Sequence, residues 1–204
     1  MTAGDVVLIG VSYGLGCFCT GYYLVRLSGR GDIRTLGSGS VGARNVGRVL
    51  GRWGFALTLI GDAGKAAAAV GLATVLGQTD GVRAAALIAV AVGHIWPVQL
   101  GFRGGRGIAV TLGGLLVYDG RLVLLAVGVF AVLYAVWRKY MACGLLAVMS
   151  LPILAACLGY GWGRTLGIAA LVAILLTAHR AHIRRLWEGR KQRTSARSNE
   201  GSGR

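Results

Sequence analysis

The sequence predicts an all-α integral membrane protein of about seven transmembrane helices, with its N-terminus outside and its C-terminus cytoplasmic. Three observations carry this reading. Apolar residues make up 55% of the 204 residues and charged ones 14%, at a mean hydropathy of +0.65, which is too apolar for a soluble domain with an anchor. The apolar residues fall into runs long enough to cross a bilayer. The basic residues divide unequally between the segments that join those runs.

The first run, Val6 to Val25, meets the roughly 20 residues that a spanning helix needs. Asp5 rather than a basic cluster precedes it, so it reads as a retained helix and not as a cleaved signal. Trp53 to Leu76 encloses Asp62 and Lys65, whose i, i+3 spacing puts them on one face. Neither charge is tolerable alone in lipid, so an ion pair is expected, and support of the helix is favoured over a catalytic dyad. Val82 to Val98 ends in the segment GHIWP. Ile108 to Tyr118 is short for a crossing, as is Leu166 to Ala178, and parts of both are expected to be shielded by protein. Leu122 to Trp137 and Met141 to Leu158 complete the set. Thirty-five glycines against two prolines fit helices that pack closely through small residues. Cys17, Cys19, Cys143 and Cys157 all lie in apolar stretches and read as small buried hydrophobes, so no disulfide, metal or cofactor is expected. Trp53, Trp96, Trp137, Trp162 and Trp187 lie near the ends of runs, as belt residues do.

The net charge of +15 follows this topology and does not point to nucleic acid. With the N-terminus outside, the inner face collects 18 of the 22 basic residues and the outer face three, Arg83, Arg121 and Arg164. Residues 1–188 thus form one membrane domain in contact with lipid. Residues 189–204 form a basic tail whose Ser, Gly and Arg content reads as disordered.

Three unusual segments reach the inner face together. TLGSGSVGARNVGR, Thr35 to Arg48, combines glycines that turn backbone N–H groups toward one point with Ser38, Ser40, Arg44 and Arg48; Arg34 precedes it. FRGGRG at 102–107 sets Arg103 and Arg106 around Gly104 and Gly105. His179 and His182 share a helix face at the end of the last run. His94 stands just before the second loop. Donors of these kinds suit a phosphorylated substrate.

GSGSVGARNVGR, GDAGKA, GHIWPVQLGFRGGRGIAVT and HRAHIRRL, in this order, resemble the motifs of the bacterial acyl-phosphate-dependent glycerol-3-phosphate acyltransferases, the PlsY type. That family's pattern reads approximately GSGNPGATNVLR, D-x-x-K-G, GHxxPxFxxFxGGKGVAT and HxxNIxRL, so the resemblance covers Ser12 to about Trp187. It implies a seven-helix enzyme of the bacterial inner membrane with a cytoplasmic site. Such an enzyme moves a fatty acyl group from acyl-phosphate to the first-position hydroxyl of glycerol 3-phosphate, giving lysophosphatidic acid for phospholipid synthesis. Ser38, Arg48, Arg106 and His179 are then the expected catalytic residues. Gly39, Ser40, Gly42, Arg44, Asn45, His94, Arg103, Gly104, Gly105, Gly107 and His182 are the expected substrate-binding ones. Several positions depart from the pattern: Ser40 replaces Asn, Val41 Pro, Arg44 Thr, Arg106 Lys and His182 Asn, and Ala142 stands where the family often has Ser. Arg44 adds a large cation inside the phosphate loop, and a substrate-facing role is expected for it.

Two alternatives use the same residues. A transporter of a small phosphorylated anion would also want arginines and glycine-broken helices, but here the motifs gather on one face and no repeat relates the halves. A diverged paralogue, with another phosphorylated acceptor or binding lipid phosphate without catalysis, is suggested by Arg44, Ala142 and His182. Orientation is testable without reference to activity. An impermeant thiol reagent applied to intact cells is expected to label Thr2→Cys and spare Ser198→Cys; labelling at position 198 overturns the topology.

Overall fold

Lipid offers a backbone no hydrogen-bond partner, so apolar runs of this length form helices. A computed structural model describes residues 1–180, and among them there is helix, turn and loop but no strand. The helices are α1 (Ala3–Cys17), α2 (Thr20–Leu27), α3 (Ala43–Val75), α4 (Asp80–Ile95), α5 (Ile108–Trp137), α6 (Tyr140–Met149), α7 (Leu151–Cys157) and α8 (Trp162–Arg180). By length and composition they supply six described runs able to cross a membrane, Ala3–Leu27, Ala43–Val75, Asp80–Leu100, Ile108–Trp137, Tyr140–Cys157 and Trp162–Arg180. The tail at 189–204 lies outside the described residues.

The sequence reading separates Ile108 to Tyr118 from Leu122 to Trp137, whereas the structure joins them in one helical run interrupted at Asp119. Asp119 adopts an extended conformation (φ −162°, ψ 97°), and its carboxylate accepts from the Arg121 N–H at 3.0 Å, as a helix N-cap does. A straight helix of 30 residues would be about 45 Å long and would put its ends on opposite faces. Instead Ile108 and Ala109 line the same pocket as Tyr140 and Met141, which follow directly after the run. The chain therefore turns back at Asp119. The turn is tied to the far ends of α4 and α8: the Tyr118 hydroxyl donates to Asp80 at 3.1 Å, Arg164 pairs with Asp119 at 2.9 Å, and Tyr160 also donates to Asp119. Residues 108–118 rise only about 16 Å. Protein covers one face of this short limb, with Val110, Thr111, Gly113, Gly114, Leu115 and Tyr118 buried and Leu116 and Val117 exposed.

Two other breaks matter to the site. The first run stops at Phe18 and Cys19, between α1 and α2, and Gly51 (φ +72°) divides α3 into residues 43–50 and 52–75. Small residues bring the crossings together. A Cβ on Gly93 would lie 2.2 Å from the Tyr13 carbonyl oxygen of α1, and one on Gly113 would lie 2.2 Å from the Ala63 carbonyl oxygen of α3, so backbones touch at both crossings. Val90, Leu115, Leu122, Leu151, Leu171 and Leu175 fill the core, while Val6, Ile60, Leu124, Val136 and Ile153 are exposed as lipid-facing residues are. Trp53, Trp137 and Trp162 are exposed. Trp96 is partly buried and packs against the core, and its carbonyl oxygen accepts from the Tyr13 hydroxyl. Cys157 departs from its reading and is exposed; Cys17, Cys19 and Cys143 are buried and free.

Candidate active site

The loop before α3 is held by one amide. Asn45, 2% exposed, accepts from the Ser38 N–H at 2.8 Å and donates to the carbonyl oxygens of Leu36 and Ser40, both at 2.9 Å. Its side chain clamps the loop, and the residue also lines the pocket. Gly37 and Gly39 make the turn at positive φ, +56° and +71°. Gly39 is therefore a turn residue and does not line the pocket. Residues 43–50 then carry Arg44 and Arg48 at i, i+4 on one face. Arg34 is committed elsewhere: it pairs with Asp32 at 2.6 Å and donates to the Leu100 carbonyl oxygen at 2.7 Å, tying the first loop to the second. The hydrogen bonds from Arg34 hold the Asp32 carboxyl below the usual carboxylate range. This tie is complete above the ordinary carboxylate pKa and is lost only as the pH falls through the lowered value.

Beneath the loop lies a buried charge cluster. Lys65 Nζ is 3.2 Å from Asp62 Oδ1 and 3.0 Å from His94 Nδ1, and it donates to the carbonyl oxygens of Gly16 and Phe18 at 2.8 and 2.6 Å. Those carbonyls are released by the break between α1 and α2. The expected ion pair is present, and it also engages His94. An ammonium has only hydrogens to offer, so His94 Nδ1 accepts and the proton of the neutral ring sits on Nε2. His179 is the reverse case. Its Nδ1 lies 2.9 Å from the Leu175 carbonyl oxygen, which can only accept, so Nδ1 carries the proton and Nε2 is the basic nitrogen.

The second loop is shaped around His94. The Gly105 N–H donates to the His94 carbonyl oxygen at 2.9 Å and the Gly104 N–H to that of Ile95 at 3.1 Å. A Cβ on Gly104 would lie 2.1 Å from the His94 carbonyl oxygen, and one on Gly105 2.0 Å from His94 Nε2. Neither glycine lines the pocket; both pack against the end of α4. Their effect is to deliver Arg106 and Gly107, which do line it.

These elements enclose a pocket of about 460 Å³. Ser38, Ser40, Gly42, Arg44, Asn45 and Arg48 line it from the first loop, Arg106 and Gly107 from the second, and Asp62, His94 and His179 from the helices. Arg103 is exposed and outside the lining, so the third arginine beside Arg48 and Arg106 is Arg44. His182 lies outside the described residues. Phe55, Leu59, Tyr140 and Met141 form an apolar side that the sequence reading missed. Phe55 and Leu59 are four apart on one helix face, which was the available signal. The pocket thus combines three guanidinium groups, loop donors and two histidines of opposite tautomer with an apolar wall, an arrangement able to bind phosphate groups beside an alkyl chain.

The glycerol-3-phosphate acyltransferase family profile matches residues 6–189. Glycerol-3-phosphate acyltransferase 1 of Desulfitobacterium hafniense is 44% identical over 189 residues, covering 93% of this chain and 94% of that protein. The glycerol-3-phosphate acyltransferase of Syntrophotalea carbinolica is 39% identical over 204 residues, covering 96% of this chain and all of that protein. Among solved structures, the glycerol 3-phosphate form of PlsY, an integral membrane glycerol 3-phosphate acyltransferase, matches with a TM-score of 0.84 at 28% identity, over 92% of this chain and 94% of that one. Its lysophosphatidic acid form matches with a TM-score of 0.83.

Ser38→Ala and Arg48→Ala are expected to weaken phosphate-ligand binding without unfolding the protein. The loss for Arg48 belongs at the low end of about 1.5–3 kcal/mol, because its side chain stays solvated. Gly39→Val is expected to do more damage, since a branched side chain at φ +71° would meet the Arg34 carbonyl oxygen at 3.1 Å. Titration of the folded variants with glycerol 3-phosphate measures this, and an unchanged constant for Arg48→Ala removes that arginine from the site.

Proposed function

The chain belongs to the glycerol-3-phosphate acyltransferase family as an integral membrane acyltransferase, and from that premise we propose how its residues work. The donor in this reading is an acyl-phosphate and the acceptor glycerol 3-phosphate. The single observation that carries it is the pocket, where donors suited to phosphate from three distant segments meet beside an apolar wall. Residues 1–188 act as one domain of seven passes, counting the turn at Asp119 as two limbs. The protein lies in the bacterial inner membrane with this pocket at the cytoplasmic face, a placement supported by the distribution of basic residues.

Acyl transfer from a mixed anhydride needs an aligned hydroxyl, a stabilised oxyanion and a good leaving group. The first-position hydroxyl oxygen attacks the acyl carbonyl carbon, the carbon–oxygen bond to phosphate breaks, and inorganic phosphate leaves with the bond's electron pair. No covalent intermediate on the protein is required. Ser38 and Arg48 hold phosphate at the first loop, and Arg106 stabilises negative charge from the second. Two groups can take the hydroxyl proton, the basic Nε2 of His179 and the acceptor's own phosphate. His94, a neutral hydrogen-bond donor at Nε2, supports the second loop.

Purified protein supplied with a long-chain acyl-phosphate and glycerol 3-phosphate is expected to release lysophosphatidic acid and inorganic phosphate in equal amounts. Uptake of glycerol 3-phosphate into vesicles with no product, or binding with neither, overturns the proposal.

A further inference from the structure

Arg44 is the pocket residue that most changes the character of the first loop, standing where the resembled pattern has a threonine. Its guanidinium lies over the ring of Tyr140, 5.2 Å from the centroid. Tyr140 is itself braced. Phe130 meets it edge to face at 5.5 Å, Tyr134 does so at 6.4 Å, and Phe130 and Tyr134 stack on each other at 5.6 Å. The ring, 53% exposed and bordered by these two neighbours, presents an electron-rich face to the cation.

This contact marks the apolar side of the pocket. Phe55 and Leu59 are partly exposed, at 40% and 37%, and both line it. Phe55 packs over Gly47, where an added Cβ would come within 3.0 Å of it, three residues along the helix from Arg44. The lining is enclosed where Asp62, His94 and His179, each no more than 2% exposed, meet it. An acyl-phosphate keeps its chain in apolar surroundings and enters from the first side. Glycerol 3-phosphate has no such constraint.

We propose that Arg44, positioned by Tyr140, selects the acyl-phosphate donor: it grips the donor phosphate where the acyl chain runs along Phe55 and Leu59, leaving the enclosed end to the acceptor. A planar guanidinium can take two phosphate oxygens at once, and stacking on the ring limits its freedom without neutralising it. The inference rests on the acyl-phosphate reading above.

The test is steady-state kinetics of the purified full chain in mixed micelles, varying acyl-phosphate and glycerol 3-phosphate separately. If the wild type makes no acyl-phosphate-dependent product, the underlying reading fails before this one is reached. With an active wild type, Arg44→Thr is expected to raise the donor KM by about threefold to fivefold while the acceptor KM stays within about twofold, the scale of a charge contact made by an exposed arginine. Tyr140→Leu should raise the donor KM in the same direction by less, and Tyr140→Phe, which keeps the ring, should recover most of that loss. A rise confined to the acceptor KM, or no change in either, overturns the assignment of Arg44. Tyr140→Leu without effect on the donor KM overturns the role of the ring.

Discussion

The ammonium of Lys65 is the interaction on which the rest of the structure depends. A charge inside a membrane-spanning helix must be met by partners, and here they come from three other places along the chain. Asp62 supplies the counter-charge, His94 an acceptor nitrogen, and Gly16 and Phe18 two carbonyl oxygens. The carbonyls are available only because the first run breaks at Phe18 and Cys19. The buried charge and the broken helix thus support each other, since unpaired carbonyls in lipid are costly and an unpaired ammonium costlier still.

The consequences run outward to the pocket. Lys65 holds the His94 ring, and the second loop folds against that ring through Gly105 and against the His94 backbone through Gly104, which places Arg106. Arg34 joins the same region to the first loop through Asp32 and the Leu100 carbonyl oxygen. Asn45 closes the first loop on itself. Charged and polar groups that look like ligands in the sequence are therefore of two kinds. Arg44, Arg48, Arg106 and His179 face the pocket, whereas Gly104, Gly105 and Arg34 hold those residues where they are, and Asn45 does both.

Most of the helical crossings were legible in the sequence because apolar length is a property of the chain alone. The ion pair of Asp62 and Lys65 was legible for the same reason, as spacing and burial cost both act locally. The turn at Asp119 required long-range partners, Asp80, Tyr160 and Arg164, and only its bracketing by Tyr118 and Leu122 hinted at it. Arg103 and Arg106 are equivalent in a linear reading of FRGGRG, and it is the packing of the glycines on His94 that turns one inward and leaves the other exposed. The aromatic brace of Phe130, Tyr134 and Tyr140 had no signal in the motifs, because stacking depends on where two helix ends meet.

The measurement that bears most directly on this account is a double-mutant cycle on the buried pair, comparing unfolding free energies of Lys65→Met, Asp62→Leu and the double variant in mixed micelles. Each single change leaves a buried partner unmatched and is expected to destabilise the protein by about 3–5 kcal/mol, while the double variant loses much less than the sum. Small or additive losses would contradict the claim that this cluster organises the fold and its pocket.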